Sequence, residues 1–322
     1  MKPGRPSAII TIDGRDLSAS EAGLVRLRVV LRNGAHHWAE IVVWPVSKFA
    51  KAKPGASLAI ALGTKDAEED VLAGEVTSVL RTGEAVVIEG LSATSALSQA
   101  RRSQTYVSQS IADIVRDLAS AVDVDEIEAS VKLEAYSVDQ RRSVWGHLLD
   151  LAGLTGAEVG ASPSGALRFV PIRSGTATRT FRHGAEVIEW QIAANRKPAE
   201  APEVAPHGAG SEAGQQKWHW LLHDPVGTSG KPSRVIGAFH SRAAADALAK
   251  ALGTRAERAA FRGWVKLVGD SKVRPGEIVE VTDLPGGDSE ALRVLEVAHA
   301  FDASGFLTSL GVEGAGGQGV SL

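Results

Sequence analysis

The histidines that stand beside another histidine or between aromatic rings are the first candidates for a binding site. His36-His37 offers two imidazoles for a metal ion, but no other histidine lies within four residues, and Glu40 is the only carboxylate that does. A solvated strand or turn is therefore the favoured interpretation of this pair. His219 stands between Trp218 and Trp220, which could stack on a base or a sugar. Strand alternation would place both indole rings on one face, which favours a barrel core or a subunit contact.

Two acidic groups could bind a cation or supply acid and base catalysis. Asp123, Asp125 and Glu126 resemble the start of a calcium-binding loop, but the sixth position, which should be glycine, is Glu128. The run Glu68-Glu69-Asp70 holds adjacent carboxylates between two strands, whereas a glycosidase needs carboxylates that face each other across a cleft. The favoured interpretation is a solvated acidic loop for the first group and a solvent-exposed hairpin tip for the second. The second group could also line a tube or repel nucleic acid.

The glycines Gly314, Gly316 and Gly319 match the G-x-G-x-x-G pattern of dinucleotide-binding loops. Such a loop must open a helix whose N-terminus faces the pyrophosphate. Only three residues follow Gly319, which favours a flexible tail over residues 315–322. The sequence also has no G-x-S-x-G, H-E-x-x-H or Walker pattern. We therefore expect no catalytic residue, no cofactor and no metal site.

The composition limits the class of protein. The 322 residues are 44% hydrophobic and 23% charged, as in a globular protein of two or three packed units. Lysine and arginine number 35 against 38 acidic residues, which argues against stable nucleic-acid binding. The absence of cysteine excludes disulfides, thiolate zinc sites and cysteine nucleophiles. The N-terminal residues predict no signal peptide, and no stretch is long and apolar enough to predict a transmembrane segment.

Hydrophobic periodicity predicts a first β-barrel over residues 1–97. Val25, Leu27, Val29 and Leu31 alternate with arginines, which is the period of a strand with one wet face. Gly and Pro turns separate the strands, and this spacing is typical of a small barrel or sandwich. Further strands are expected at Glu40–Trp44, 56–62, Val71–Arg81 and Ala85–Leu91.

The period changes to that of helices over residues 98–170, which predicts an α/β insert. Ile111, Ile114 and Leu118 lie on one helix face, and Ser110 is placed to cap that helix. The remaining elements expected here are a helix from about Ser143 to Ala152, with Trp145, Leu148 and Leu149 buried and Gly153 ending it, and a hairpin of Ala157–Val159 with Leu167–Val170.

The rest of the chain predicts a second β-barrel. Residues 171–195 contain a strand that we expect to complete the first barrel, and the Pro/Gly-rich residues 196–216 predict a linker or loop. Residues 217–314 predict the second barrel. Its expected elements are an Ala-rich helix from Ser241 to about Glu257, whose small residues would let a sheet approach, and strands at Phe261–Val268, Glu277–Thr282, Leu292–Ala300 and Phe306–Val312.

A weak internal repeat links the two predicted barrels. Pro54-Gly55 and Pro275-Gly276 each precede an alternating strand. Glu75-Val76 and Glu296-Val297 both follow at a spacing of 21 positions from the proline. Ile88-Glu89-Gly90 then matches Val312-Glu313-Gly314. The repeat favours two copies of one β-barrel element in a single chain.

Several ordered phrases resemble the phage late control gene D family, the tail (baseplate) hub family that is related to the hub part of type VI secretion spike proteins. SQTYVSQSIADIVRDLA and RRSVWGHLLDLAGLTGAEVGASPSGALRFVPI resemble its helical phrases, and FRGWVKLVGDSKVRPGEIVEV with LRVLEVAHAFDASGFLTSLGVEG resembles its second barrel. The resemblance covers roughly residues 70–315. The residues that match the signature of the second barrel are Pro275, Gly276, His299, Gly305, Phe306 and Thr308.

The resemblance implies a mainly β fold with an α/β insert, built from two small tail-hub barrels and a small helical and hairpin domain. It implies a homotrimer that joins a sixfold tail tube to a threefold spike and forms the cargo channel, with a separate spike protein and other baseplate proteins as partners. The particle would be a virion or phage-like injection system, assembled in the bacterial cytoplasm. Strand edges should be exposed in the isolated chain.

Buried aromatic side chains dominate contact energies, so the tryptophans are the expected subunit-interface residues. Two other functions stay open: a tail-associated cell-wall hydrolase, and a tail module that binds a surface or another tail protein. The candidate interface residues are Trp44, Trp145, Trp190, Trp218, Trp220 and Trp264.

Overall fold

A computed structural model describes residues 4–173, 175–195, 203–206, 233–236, 242–285 and 289–315. The fold is mainly β with a helical insert, as the sequence predicts. It contains a first β unit, an insert and a second β unit. Residues 217–220, with Trp218 and Trp220, lie outside the described residues.

The first β unit is a curled antiparallel sheet in the order β3-β4-β7-β6-β5-β1-β2. Alternate residues of its strands point into one apolar core, which gives the period of two seen in the sequence. The hairpin of β1 and β2 was not predicted, although its Asp13-Gly14 turn, with both φ angles positive, is a strong hairpin signal. The strands are β1 (Pro6–Ile12), β2 (Arg15–Ser18), β3 (Leu24–Arg32), β4 (Trp38–Val43), β5 (Ser57–Thr64), β6 (Ala67–Arg81) and β7 (Val86–Ser92).

The insert follows β7 and has its own apolar core. The Ser110 cap is confirmed, since its Oγ accepts a hydrogen bond from the Asp113 backbone N–H at 3.1 Å. The third helix runs past Gly153 and ends at Gly156, whose φ of 63° is the left-handed conformation of a helix C-terminus. Leu149 on this helix is exposed rather than buried. The elements are α1 (Ala96–Gln99), β8 (Gln104–Ser110), α2 (Ile111–Leu118), β9 (Val124–Ile127), β10 (Lys132–Val138), α3 (Val144–Thr155), β11 (Ala157–Ala161) and β12 (Leu167–Pro171).

The second β unit has the order β14-β17-β20-β19-β18-β13. Its elements, with those that lie between its strands, are β13 (Arg179–Arg182), β14 (Val187–Ala194), β15 (Glu203–Pro206), β16 (Ser233–Ile236), α4 (Arg242–Arg258), β17 (Phe261–Val268), β18 (Ile278–Thr282), β19 (Glu290–Asp302) and β20 (Gly305–Gly314).

Two expectations about this region are wrong. Residues 171–195 do not complete the first barrel, because β13 pairs with β18 and β14 pairs with β17 of the second unit. Part of the expected linker is a packed strand, since β15 pairs with β16 and buries Val204 in the insert core. The small residues of α4 let strand β15 pack against the helix, as expected, and they also admit α3: a Cβ on Gly156 at the end of α3 would lie 2.2 Å from the Ala251 Cβ.

Five strands of each unit share one pairing order: β3-β4-β7-β6-β5 corresponds to β14-β17-β20-β19-β18. The Pro-Gly turns match bond for bond. Gly55 N donates to Val76 O at 2.8 Å and Gly276 N donates to Val294 O at 2.8 Å, and the glycine φ angles are 87° and 91°. A register shift follows Val76 in β6 and Val294 in β19. The internal repeat is therefore present in the fold.

The register of the repeat differs from the sequence prediction. Val76 corresponds to Val294 and not to Val297, so the equal spacing of 21 positions is a coincidence. Val76 faces Gly90, and Val294 faces Val312. Gly90 therefore corresponds to Val312, two residues before the predicted Gly314. Bulges and hairpin lengths shift the numbering, and neither is visible in a pattern of residue types.

The two units form one continuous sheet because β19 pairs with β3. Glu296 to Asp302 of β19 lie opposite Arg32 to Arg26 of β3. A single apolar cluster contains side chains from both units, among them Leu27, Leu31 and Val297. The chain thus holds two similar sheets that are joined edge to edge.

Candidate assembly surfaces

The four tryptophans in the described residues that were expected at interfaces have different environments. Trp44 is 54% exposed and Trp264 is 36% exposed. Trp190 is half-buried against the core and meets the His183 ring edge-on. Trp145 is buried in the insert, where its ring lies 4.3 Å from the ring of His36. Trp44 and Trp264 are thus accessible to a partner, whereas Trp145 is an interior residue of the single chain.

The signature turn Pro275-Gly276 lies where the second unit meets the insert. A Cβ on Gly276 would lie 3.1 Å from the Glu158 carboxylate and 3.3 Å from the Asn33 amide nitrogen, so both the positive φ and the close approach require glycine. This turn leads directly into β18.

The other signature residues hold one end of the second unit. The His299 Nδ1 lies 3.0 Å from the Thr308 Oγ1, and Thr308 Oγ1 accepts a hydrogen bond from the Asp270 backbone N–H at 2.9 Å. Phe306 packs on Gly269, where a Cβ would lie 2.2 Å from the ring. Gly305 has a φ of 128° in the turn between β19 and β20. The signature therefore fixes the loop after β17 and belongs to the core.

A buried charged cluster joins the first unit, the insert and the second unit. Arg293 Nη1 donates to the Glu313 carboxylate at 3.0 Å, and Arg293 Nη2 forms an ion pair with Glu158. Asn33 Nδ2 donates to the other oxygen of Glu158 at 3.0 Å. The Arg293 side chain is only 2% exposed. No sequence signal reveals this cluster, because its members lie far apart in the chain.

Arg274 and two histidines form a second polar group inside the protein. The Arg274 guanidinium donates to the backbone oxygens of Val273 and Asp70, and so links the second unit to β6 of the first. Burial, with a smaller contribution from Arg274, lowers the pKa of His37 to about 4 and that of His299 to about 3. Both imidazoles are therefore neutral at neutral pH, which suits an interior role better than the solvated strand expected for His37.

Each β unit exposes apolar side chains at corresponding positions. In the first unit Val25 lies in a bulge of β3 and Trp44 follows β4. In the second unit Ile188 lies in a bulge of β14 and Val268 ends β17. We call these two pairs the first and second apolar patches.

Matching backbone contacts show that the patches are equivalent. Trp44 N donates to Gly23 O at 3.0 Å, and Val268 N donates to Glu186 O at 3.0 Å. Trp44 and Val268 are exposed to almost the same degree, at 54% and 53%. A partner that contacts one patch could therefore contact the other in a similar way.

The described residues contain no group of three or more His, Asp or Glu side chains that could hold a metal ion. Among these same residues, no helix is both long and apolar enough to cross a membrane.

No family model and no curated protein matches the sequence. Solved structures do match along almost the whole chain. A tail protein of Neisseria meningitidis is 15% identical with a TM-score of 0.72 over 96% of each chain. The 43 kDa tail protein of prophage MuSo2 from Shewanella oneidensis is 12% identical with a TM-score of 0.68 over 95% of this chain and 97% of that one.

The third match is a component of the Escherichia coli type VI secretion system, described as similar in structure to the T4 tail proteins gp27 and gp5. It is 12% identical with a TM-score of 0.62 over 97% of this chain and 79% of that one. At these identities the matches establish the fold, which is that of phage tail and type VI secretion proteins.

Proposed function

We propose that this chain is a structural hub of a phage or phage-like contractile tail, and that it acts as a symmetry adaptor. The observation that carries the proposal is the repeat: one chain holds two β units with the same strand order and equivalent apolar patches. Three copies would present six similar units, and a sixfold tube could bind all of them through nearly equivalent contacts. A single unit in a trimer could make only three such contacts.

The proposed mechanism is mechanical rather than catalytic. A ring of three chains closes the distal end of the tail tube on one side and accepts a separate threefold spike on the other, leaving a central channel for cargo. Its partners are itself, the tube protein, the spike and other baseplate proteins. The tail-protein fold supports this role.

The first test is the assembly of the purified chain. Native mass spectrometry should give three times the chain mass of 33.7 kDa, and class averages of that particle should show six similar densities on one face. A chain that stays monomeric alone, with tube protein and with spike protein would overturn the proposal. Clearing of a cell-wall substrate in a zymogram would favour the hydrolase instead.

The second test addresses the apolar patches. Trp44→Ser and Val268→Ser should each weaken binding to the tail-tube protein of the same particle, and Trp44→Ser should do so more strongly, because an indole ring buries more apolar surface than a valine side chain. The double variant should weaken binding by about the product of the two factors. Val46→Ser is the control, since Val46 is 93% exposed and is not part of either patch. Equal binding by all four proteins would show that the patches do not contact the tube.

A further inference from the structure

Within the part of the chain that the structure describes, one strand edge of the first unit has no partner strand. The first part of β6 pairs with β5, from Ala67 to Glu75, and its second part pairs with β7, from Gly74 to Arg81. Beyond Val76, no strand of the described residues lies on the other side of β6. Residues 78–81 therefore leave backbone groups free along one edge.

The corresponding edge of the second unit is occupied. The register places Ser78 opposite Glu89 and Glu296 opposite Gly311, so residues 78–81 of β6 correspond to residues 296–299 of β19. In β19 these residues pair with β3 of the first unit. Among the described strands, the same edge is thus paired in the second unit and unpaired in the first.

β14 is the strand of the second unit that corresponds to β3, and it therefore has the features needed to pair with the free edge of β6. β14 corresponds to β3, and the bulges of the two strands fall at the same place, after Val187 and after Leu24. β3 pairs with both β4 and β19, whereas β14 ends the sheet of the described residues and has β17 as its one partner strand there. The chain therefore has one filled junction, between β19 and β3, and the two halves of a second junction, β6 and β14, at its two sides.

Residues on the paired edge of β19 are more buried than the corresponding residues on the unpaired edge of β6, as expected if β6 lacks a neighbouring strand. Val297 and His299 of β19 are buried, whereas the corresponding Val79 is half-buried and Arg81 is exposed. Leu80, next to them, is 60% exposed.

The same contrast holds on the other strand. Leu27 and Val29 of β3 are fully buried, whereas the corresponding Trp190 and Ile192 of β14 are only half-buried. Both free edges thus keep apolar surface that the filled junction removes from water.

We propose that β6 of one copy pairs with β14 of a second copy, antiparallel and in the register of the β19–β3 junction. Ala298 faces Val30 in the filled junction, so Leu80 would face Ala193 of the neighbour. The contact is head-to-tail, and it closes into a ring of three when the rotations at the junctions within and between chains add up to one third of a full turn. Closure at three copies rests on the proposed hub function; the pairing of β6 with β14 does not depend on the tube or the spike.

The cysteine-free chain allows a direct test by disulfide trapping. Facing residues of antiparallel strands have Cα atoms about 4.5–5.5 Å apart, within the range of a disulfide. The variant Leu80→Cys with Ala193→Cys should therefore give, on mild oxidation, a covalent ladder that ends at three chains on non-reducing gels. Val30→Cys with Ala298→Cys is the matched control and should crosslink within one chain. Leu80→Cys with Gln191→Cys, two residues out of register, should crosslink much less.

A charge substitution gives an independent measurement. Leu80→Lys should leave the fold of the single chain intact, because Leu80 is exposed, and should weaken self-association by about tenfold or more. Val107→Lys is the control, since Val107 is similarly exposed but lies on the insert.

The outcomes separate this inference from the proposed function. One outcome is that the protein forms trimers, but the Leu80→Cys, Ala193→Cys variant gives no crosslink and Leu80→Lys does not weaken the trimer. This result would overturn the strand junction and would leave the hub function in place. Crosslinked rings that bind no tube protein would support the junction and count against the hub. Crosslinking of the Leu80→Cys single variant with itself, at the yield of the double variant, would show β6 paired with β6 and would also overturn the inference.

Discussion

The two β units share a strand order but differ in what their interiors contain. At the position of Arg293 in the second unit the first unit has Glu75, and at the position of Glu313 it has Leu91. Glu75 is exposed, whereas Arg293 and Glu313 are buried against Glu158 of the insert. The hydrogen-bonded frame is thus common to both units, and the side chains diverge where Glu158 of the insert meets Arg293 of the second unit.

The hydrogen bonds between the β6–β7 or β19–β20 hairpin and the loop that precedes it differ between the two units in the same way. Arg81 of the first unit donates to the backbone oxygens of Ala50 and Ala52 in the loop after β4. The corresponding His299 instead contacts Thr308, which holds Asp270 in the loop after β17. Each unit holds the corresponding loop with different side chains. The shared backbone arrangement determines where the hairpin and the loop come close, but not which side chain makes the hydrogen bonds between them.

Among the substitutions that test the difference between the two units, Arg293→Ala should cause the largest loss of stability. Arg293→Ala leaves two buried carboxylates without their partner, which should destabilise the fold by about 3–5 kcal/mol in urea unfolding. Glu75→Ala at the equivalent exposed position should change stability by less than about 0.5 kcal/mol. Equal effects at the two positions would contradict the conclusion that the charged cluster is specific to the second unit.

Acid should destabilise the protein through the two buried histidines. Their folded-state pKa values, about 4 for His37 and about 3 for His299, lie below the ordinary value of 6.5, so the unfolded chain binds protons first as the pH falls. The free energy of unfolding is therefore unaffected by these histidines above about pH 6.5. Below that pH it decreases by up to about 1.4 kcal/mol per pH unit for each histidine. Burial lowers the pKa of His36 as well, which adds to the effect in the same direction.

Unfolding measured between pH 7 and pH 5 tests this. His299→Gln and His37→Gln should each reduce the slope, whatever they do to stability at pH 7. Carboxylates with lowered pKa values, such as Glu126, act only at more acidic pH. An unchanged slope in both variants would show that neither imidazole stays neutral in the folded chain.

The smallest effect concerns the two Pro-Gly turns. Gly55→Ala and Gly276→Ala both place a side chain at positive φ, at a cost of about 1 kcal/mol. Gly276→Ala should cost more, because its Cβ also meets Glu158, whereas nothing lies within 4 Å of a Cβ at Gly55. Thermal unfolding of the two variants measures the difference, and a larger loss for Gly55→Ala would contradict the assigned geometry.

Much of the fold was predictable because burial on one face of a sheet imposes a period of two on the sequence. Strand Phe261–Val268 has the predicted bounds, and the cap at Ser110 was recognised from local residue types. The assignment of residues 171–195 to the first barrel failed, because the period shows that a strand exists but not which edge it joins. The surroundings of the candidate interface residues could not be predicted, since a tryptophan has the same sequence signal whether it is buried, as Trp145 is, or exposed, as Trp44 is.

The sequence by itself determined the strands, the capped helices and the existence of a repeat, since each depends on residues close together in the chain. Only the tertiary structure decided the register of that repeat, the joining of β19 to β3 and the meeting of Arg293 with Glu158. These features depend on contacts between distant residues, and backbone hydrogen bonds across a sheet edge leave almost no trace in residue type.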